Sequence, residues 1–181
     1  MDKPLTKDQE QTLLRLARHA ISHYLKKGKP ATIKTKDETL KQKRGAFVSL
    51  KVKGHLRGCI GYPIPYKSLT ETIIDAAIAA ATHDFRFPSL EQKELPMTKI
   101  EISVLSRPEP VEDISEIEVG KHGIIITKGH SRGLLLPQVP VEWNWDRETF
   151  LSHGCMKAGL EEDAWKKDVQ IEIFQAQVFS E

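Results

Sequence analysis

Two glycines inside one short run constrain this chain more than any other feature: Leu56-Arg57-Gly58-Cys59-Ile60-Gly61. The apolar positions Leu56 and Ile60 suit a strand, but glycine weakens one unless another backbone or a ligand comes close. The same six residues carry a thiol and a guanidinium. The run therefore marks a tightly approached part of the fold and a candidate site.

Its flanks set its geometry. Residues 46–52 read as a strand, Lys53-Gly54 as a turn, and the hexapeptide as the returning strand. Alternate side chains share a face. Leu56, Gly58 and Ile60 then point one way, and Arg57, Cys59 and Gly61 the other, with Arg57 and Cys59 about 7 Å apart. A two-residue turn sets Val48 opposite Cys59 and Leu50 opposite Arg57, and a slip of one residue reverses the faces.

Other elements follow from local signals. Apolar residues at helical spacing predict a helix over 6–27, with Thr6 and Gln9 at capping-box spacing and Gly28 and Pro30 as its stop. Residues 31–44 are lysine-rich and read as a surface excursion. Ser68 and Glu71 form a second capping box, opening an alanine-rich helix that runs to about Thr82 and packs close to what lies beneath it. His83 to Pro88 is a loop. Residues 99–105 alternate as a half-buried strand, 124–127 and 134–136 pair across a Gly129-His130-Ser131 turn, and Val169, Ile171 and Ile173 form a last strand. The alternation shifts at Phe174, which suggests a bulge. Asp146 caps a helix that Gly154 interrupts, so that Cys155 and Lys157 flank a break. Helices and strands mix without strict βαβ order, which predicts an α+β fold with mixed or antiparallel sheets and flanking helices.

Length and composition narrow the function class. The 181 residues suit one domain of ordinary size or two small lobes, and 39% hydrophobic content supports a packed core. No apolar run approaches the roughly 20 residues that span a bilayer. Residues 1–11 are polar with no apolar signal region. The expectation is a cytoplasmic protein away from the membrane. Cys59 and Cys155 make no disulfide framework. Charge is uneven: residues 1–60 hold 15 Lys/Arg against 5 Asp/Glu, and residues 61–181 hold 12 against 20. No aromatic residues interleave the basic run, which argues against single-stranded nucleic acid. His19 and His23 lie one turn apart without a third ligand, and His153-x-Cys155 lacks zinc spacing, so no metal is expected. No phosphate loop, dinucleotide fingerprint or nucleophile elbow is present, and no cofactor is indicated.

The chain resembles the AMMECR family, protein A of the AmmeMemoRadiSam system. The resemblance rests on the hexapeptide 56–61, and on Asp84 with Arg86-Phe87. Further blocks are Gly133-Leu134-Leu135-Leu136-Pro137-Gln138, Trp145 with Phe150-Leu151, and Cys155 with Lys157-Ala158-Gly159-Leu160. These blocks cover nearly the whole chain after the first helix. Phe85 departs from the pattern, since proline is common there. The resemblance implies a single α+β domain with a larger and a smaller lobe and the signature near a cleft between them. It also implies association with Memo-like and radical-SAM proteins. It implies no reaction, because the family has no settled activity.

Candidate residues carry two readings each. Cys59 is a nucleophile if Arg57 favours its thiolate, or a small packed hydrophobe. Arg57 grips a carboxylate or phosphate of a ligand, or pairs with Asp84. Asp84 and Arg86 hold a substrate, or lock their loop to the hexapeptide. Gly58 and Gly61 admit a ligand or a backbone. Gln138 presents an amide to a ligand, or satisfies buried backbone. Cys155 and Lys157 join Cys59 in one site with His153 nearby, or belong to a packed helix. His83 and His122 are general bases by residue type only. The function expected is binding of, or catalysis on, a small anionic or thiol-reactive ligand. The alternatives are an accessory module that docks a Memo-like or radical-SAM partner, and a factor of the nucleic-acid machinery.

Overall fold

The computed structural model describes residues 3–181, so Met1 and Asp2 of the polar N-terminal run lie outside the described residues. Both capping boxes are made. In α1 (Lys7–Lys27) the amide of Gln9 donates to Thr6 Oγ1 at 3.3 Å and the amide of Thr6 to Gln9 Oε1 at 2.9 Å. Gly28 ends the helix in the left-handed region at φ 68°, with its N–H on the Tyr24 carbonyl. In α2 (Leu69–Thr82) Ser68 and Glu71 play the same reciprocal roles.

The described chain divides into two compact units, residues 3–105 with Gln177–Glu181, and Ser106–Ala176. The first holds α1, β1 (Ala46–Val52), β2 (His55–Tyr62), α2, β3 (Thr98–Leu105) and most of the last strand of the chain (Ala176–Ser180). Its sheet runs in the order β2, β1, β3, then that last strand. Ala46, Val48 and Leu50 of β1 and Ile100, Ile102 and Val104 of β3 are fully buried, against the apolar faces of α1 and α2. Burial of each larger side chain contributes about 2 kcal/mol. Phe47, Ser49 and Lys51 alternate onto the other face and are half-buried.

The β1–β2 hairpin turns at Lys53-Gly54, both left-handed at φ 51° and 81°, the backbone a two-residue turn prefers. Val52 pairs with His55 and Lys51 with Leu56, as such a turn requires. The register then shifts, so that Leu50 faces Gly58 and Ser49 faces Cys59. Arg57 is the extra residue of a bulge. This corrects the expected pairing of Val48 with Cys59 and Leu50 with Arg57, and with it the strict alternation of faces. Leu56, expected beside Gly58 and Ile60, is 40% exposed.

The hexapeptide glycines answer to packing. A Cβ on Gly58 would lie 2.0 Å from the Ala80 carbonyl oxygen of α2, and one on Gly61 would lie 2.2 Å from the Phe47 ring. The alanine-rich helix and the glycine of β2 let two backbones meet where any side chain would intervene. Residues 31–44 are also more anchored than a surface excursion. Leu40 is buried, and the carbonyls of Leu40 and Gln42 accept from the amides of Thr70 and Leu69 at 3.2 and 2.8 Å. Those amides open α2 and would otherwise lack partners.

The second unit carries β4 (Glu109–Pro110), β5 (Gly123–Lys128), β6 (Ser131–Leu135), α3 (Gln138–Glu142), α4 (Arg147–Lys157) and β7 (Gln170–Phe174). Its antiparallel sheet has the order β4, β7, β5, β6. Asp146 caps α4 by accepting from the Thr149 amide at 2.8 Å. The expected break at Gly154 is absent, and α4 runs through it to Lys157. Glycine stands there because a Cβ would meet the Ile124 and Ile126 side chains at 2.8 and 2.9 Å. Gly133 of β6 is the counterpart, since its Cβ would lie 2.4 Å from the Ala158 nitrogen. The shift at Phe174 is likewise no bulge. β7 ends there, Gln175 exchanges hydrogen bonds with Ser106, and the chain continues as β8 (Ala176–Ser180) in the other sheet.

Candidate functional site

As an edge strand, β2 would leave backbone groups unpaired on its outer side. At Cys59 the loop after α2 takes them up. The Cys59 amide donates to Asp84 Oδ2 at 2.8 Å, and Arg86 Nη2 donates to the Cys59 carbonyl at 3.3 Å. Asp84 and Arg86 are themselves joined, Nε to Oδ1 at 2.9 Å and Nη2 to Oδ2 at 2.7 Å. The Asp84 side chain is 2% exposed. Its hydrogen bond from Arg86, with help from the Cys59 amide, holds the carboxyl well below the usual carboxylate range against the opposing effect of burial. Of the two readings of this pair, the geometry is that of a lock between loop and strand. Asp84 has no lone pair turned outward, whereas Arg86 is 46% exposed and its Nη1 is engaged by neither Asp84 nor Cys59.

Arg57 goes elsewhere. Its Nε and Nη2 each donate to the Glu94 carboxylate at 3.1 Å, and Nη1 donates to the Pro88 carbonyl at 2.7 Å. This two-pronged pair keeps the Glu94 carboxyl low. Only 16% of the Arg57 side chain is exposed. The reading that pairs Arg57 with Asp84 is therefore corrected: the guanidinium reaches Glu94 and the Pro88 carbonyl instead. Its fork is filled by the protein itself and is not open to a ligand. Glu94 was not legible as its partner, since no spacing rule links positions 57 and 94.

The Cys59 thiol is half-buried and free. Ser49 Oγ donates to its sulfur at 3.1 Å across the β1–β2 pair. Lys51 and Glu101, on the same face of β1 and β3 as Ser49, pair at 2.8 Å. The polar residues Ser49 and Lys51 were missed as site members. Their alternation with Val48 and Leu50 was visible, but only the bulged register puts Ser49 against the thiol.

His83 is exposed at the end of α2, its Nδ1 2.7 Å from Thr82 Oγ1, and the other candidates belong to Ser106–Ala176. Gln138 opens α3 and Lys157 sits exposed in the last turn of α4. Cys155 is fully buried in a core with Ile124, Ile126 and Phe150, and burial pushes its thiol up. Of the two readings of Cys155, the geometry is that of a packed helix: α4 is unbroken and turns this sulfur into apolar packing. His153 stacks on Trp145 with ring centroids 3.8 Å apart. His122 is buried and its Nδ1 accepts from the Glu118 amide at 3.1 Å. Among the described residues no group of three His, Cys, Asp or Glu is arranged to hold a metal, and no helix is long and apolar enough to cross a membrane.

The sequence and the fold both match known proteins. The chain is 49% identical to the protein MK0488 of Methanopyrus kandleri, covering all of this chain and 92% of that one. It is 46% identical to a protein of Methanothermobacter thermautotrophicus, over 98% and 97% of the two chains. The crystal structure of an uncharacterized protein from Pyrococcus horikoshii, PH0010, superimposes with a TM-score of 0.89 at 42% identity, covering 98% of this chain and 93% of that one. The AMMECR1 family model matches residues 14–179. Over nearly its whole length, from within α1 to the last strand, the chain belongs to the AMMECR1 family.

Proposed function

We propose that the protein binds a small anionic or thiol-reactive molecule at the Cys59 strand. The observation that carries this reading is a free thiol on a half-buried edge-strand residue, approached by a hydroxyl and bordered by an arginine with a donor to spare. Arg86 holds the anionic group and Cys59 makes the contact, or the bond where the ligand is electrophilic. Arg57 and Asp84 act behind them by fixing the loop, and Gly58 and Gly61 by admitting the backbone of α2 and the Phe47 ring. Iodoacetamide at neutral pH, followed by peptide mapping, tests the thiol. Cys59 is expected to be alkylated well before Cys155. If both resist until the protein is denatured, the reading fails.

A second reading has its own observation. Phe85 is 96% exposed, yet it stands between Asp84 and Arg86, which are pinned to β2. An exposed aromatic between two anchored residues suits a docking point for a protein partner, such as a Memo-like or radical-SAM protein. Under this reading Phe85→Ser abolishes association and Cys59→Ser leaves it intact. Association undiminished by Phe85→Ser removes it.

A further inference from the structure

All three tryptophans lie in Ser106–Ala176, where residues 106–176 hold 8 Lys/Arg against 13 Asp/Glu. One groove of this unit combines both features. It encloses about 350 Å³ between a face of α4 and the turn that follows the helix. Glu148 and Met156 stand on the α4 wall, and Glu162, Asp163 and Trp165 on the other.

The aromatic groups there are fixed before anything binds. Trp165 Nε1 donates to Ser152 Oγ at 3.2 Å. The His153 ring lies on Trp145 with 6° between planes. A ring already held in place loses little rotamer freedom on binding. The indole also already attracts an ammonium, because Lys166 Nζ sits 5.0 Å from the Trp165 ring centroid. The groove's carboxylates are unevenly matched. Asp163 pairs with Lys167 at 3.3 Å, while no ion pair among the described residues engages Glu148 or Glu162. This charge repels anions. A divalent metal is poorly served, since no group of three ligating side chains is arranged to hold one among the described residues.

We propose that this groove binds a linear aliphatic polyamine. One ammonium sits on the Trp165 face that Lys166 now approaches. Met156 lines the same groove and offers the methylene stem an apolar contact, and the other ammonium groups have the unpaired carboxylates of Glu148 and Glu162 along its walls. The site is independent of Cys59 and uses different residues in a different unit.

Titration of the full-length protein with spermidine at low salt tests this, read by tryptophan fluorescence. A saturable change is expected. Glu148→Gln/Glu162→Gln should weaken it about tenfold, the effect of two exposed ion contacts. Lys166→Ala should tighten it about twofold or more, because the chain's own competing ammonium is gone; a merely structural role for Lys166 would not produce that gain. Magnesium at the same concentration should produce no such change. The absence of a saturable signal at millimolar spermidine overturns the proposal. So does equal binding by the double variant, weaker binding by Lys166→Ala, or an equal response to magnesium. A response to tetralysine without one to spermidine also overturns it, in favour of a basic protein segment.

Discussion

The two cysteines make an instructive contrast. Cys59 stands on an edge strand, half-exposed, with its amide and carbonyl held by Asp84 and Arg86. Cys155 stands inside a helix, sealed among isoleucines and Phe150. Each neighbours a glycine that lets a helix and a sheet meet closely. In one unit Gly58 of the strand admits the Ala80 carbonyl, and in the other Gly154 of the helix admits Ile124 and Ile126. The same device leaves one cysteine half-buried and seals the other. On a strand, the residue after the glycine points away from the contact, toward the open face. On the helix, Cys155 lies on the same side as the contact and joins the core. A thiol beside a glycine is therefore no sign of a site until its element is known.

Four substitutions would break or sharpen that contrast. The largest effect is expected at Gly58. Gly58→Ala forces a Cβ to within 2.0 Å of a backbone oxygen that has no rotamer to change. A loss of about 3 kcal/mol in urea unfolding is expected. A loss below about 1 kcal/mol would mean that α2 shifts easily away from the strand.

Asp84→Asn comes next, at about 2 kcal/mol, since it leaves the Arg86 charge with a neutral partner on a buried contact. The pH dependence has a definite sign. The folded carboxyl is held below its ordinary value, so its stabilisation is fully present above about pH 5. It is lost progressively as pH falls below about 4 toward the lower folded value. Wild type and Asp84→Asn should differ by a constant amount at neutral pH and converge in acid. Parallel curves down to about pH 2 would show that the stabilisation does not come from ionised Asp84.

Cys155→Ser should cost about 1–3 kcal/mol, because a hydroxyl replaces a thiol in an apolar core. Cys59→Ser is expected to be the mildest, within about 0.5 kcal/mol, since the site is half-exposed and already faces a hydroxyl. Thermal unfolding of the two variants side by side checks the pair. Equal losses would show that the exposure of Cys59 has no energetic meaning.

Local chemistry was legible without coordinates. Thr6 with Gln9, Ser68 with Glu71, the Lys53-Gly54 turn and the Asp146 cap each act within about four residues, and each is made as expected. The hexapeptide was recognisable as a site of close approach, and the α+β class followed from the order of elements. Contacts that join distant residues were hidden. The bulge at Arg57 depends on how β1 and β2 settle on α2, and it alone decides that Ser49 rather than Val48 meets Cys59. Glu94 captures Arg57 only because the chain after α2 returns to β2. Gly154 stays helical because its lost propensity, about 1 kcal/mol, is outweighed by packing on β5 that no neighbouring residue announces. Caps and turns are thus determined by the sequence itself, since their hydrogen bonds close within a few residues. Register, burial and ion-pair partners are settled only by the tertiary structure, because they depend on which distant surfaces compete for the same side chain.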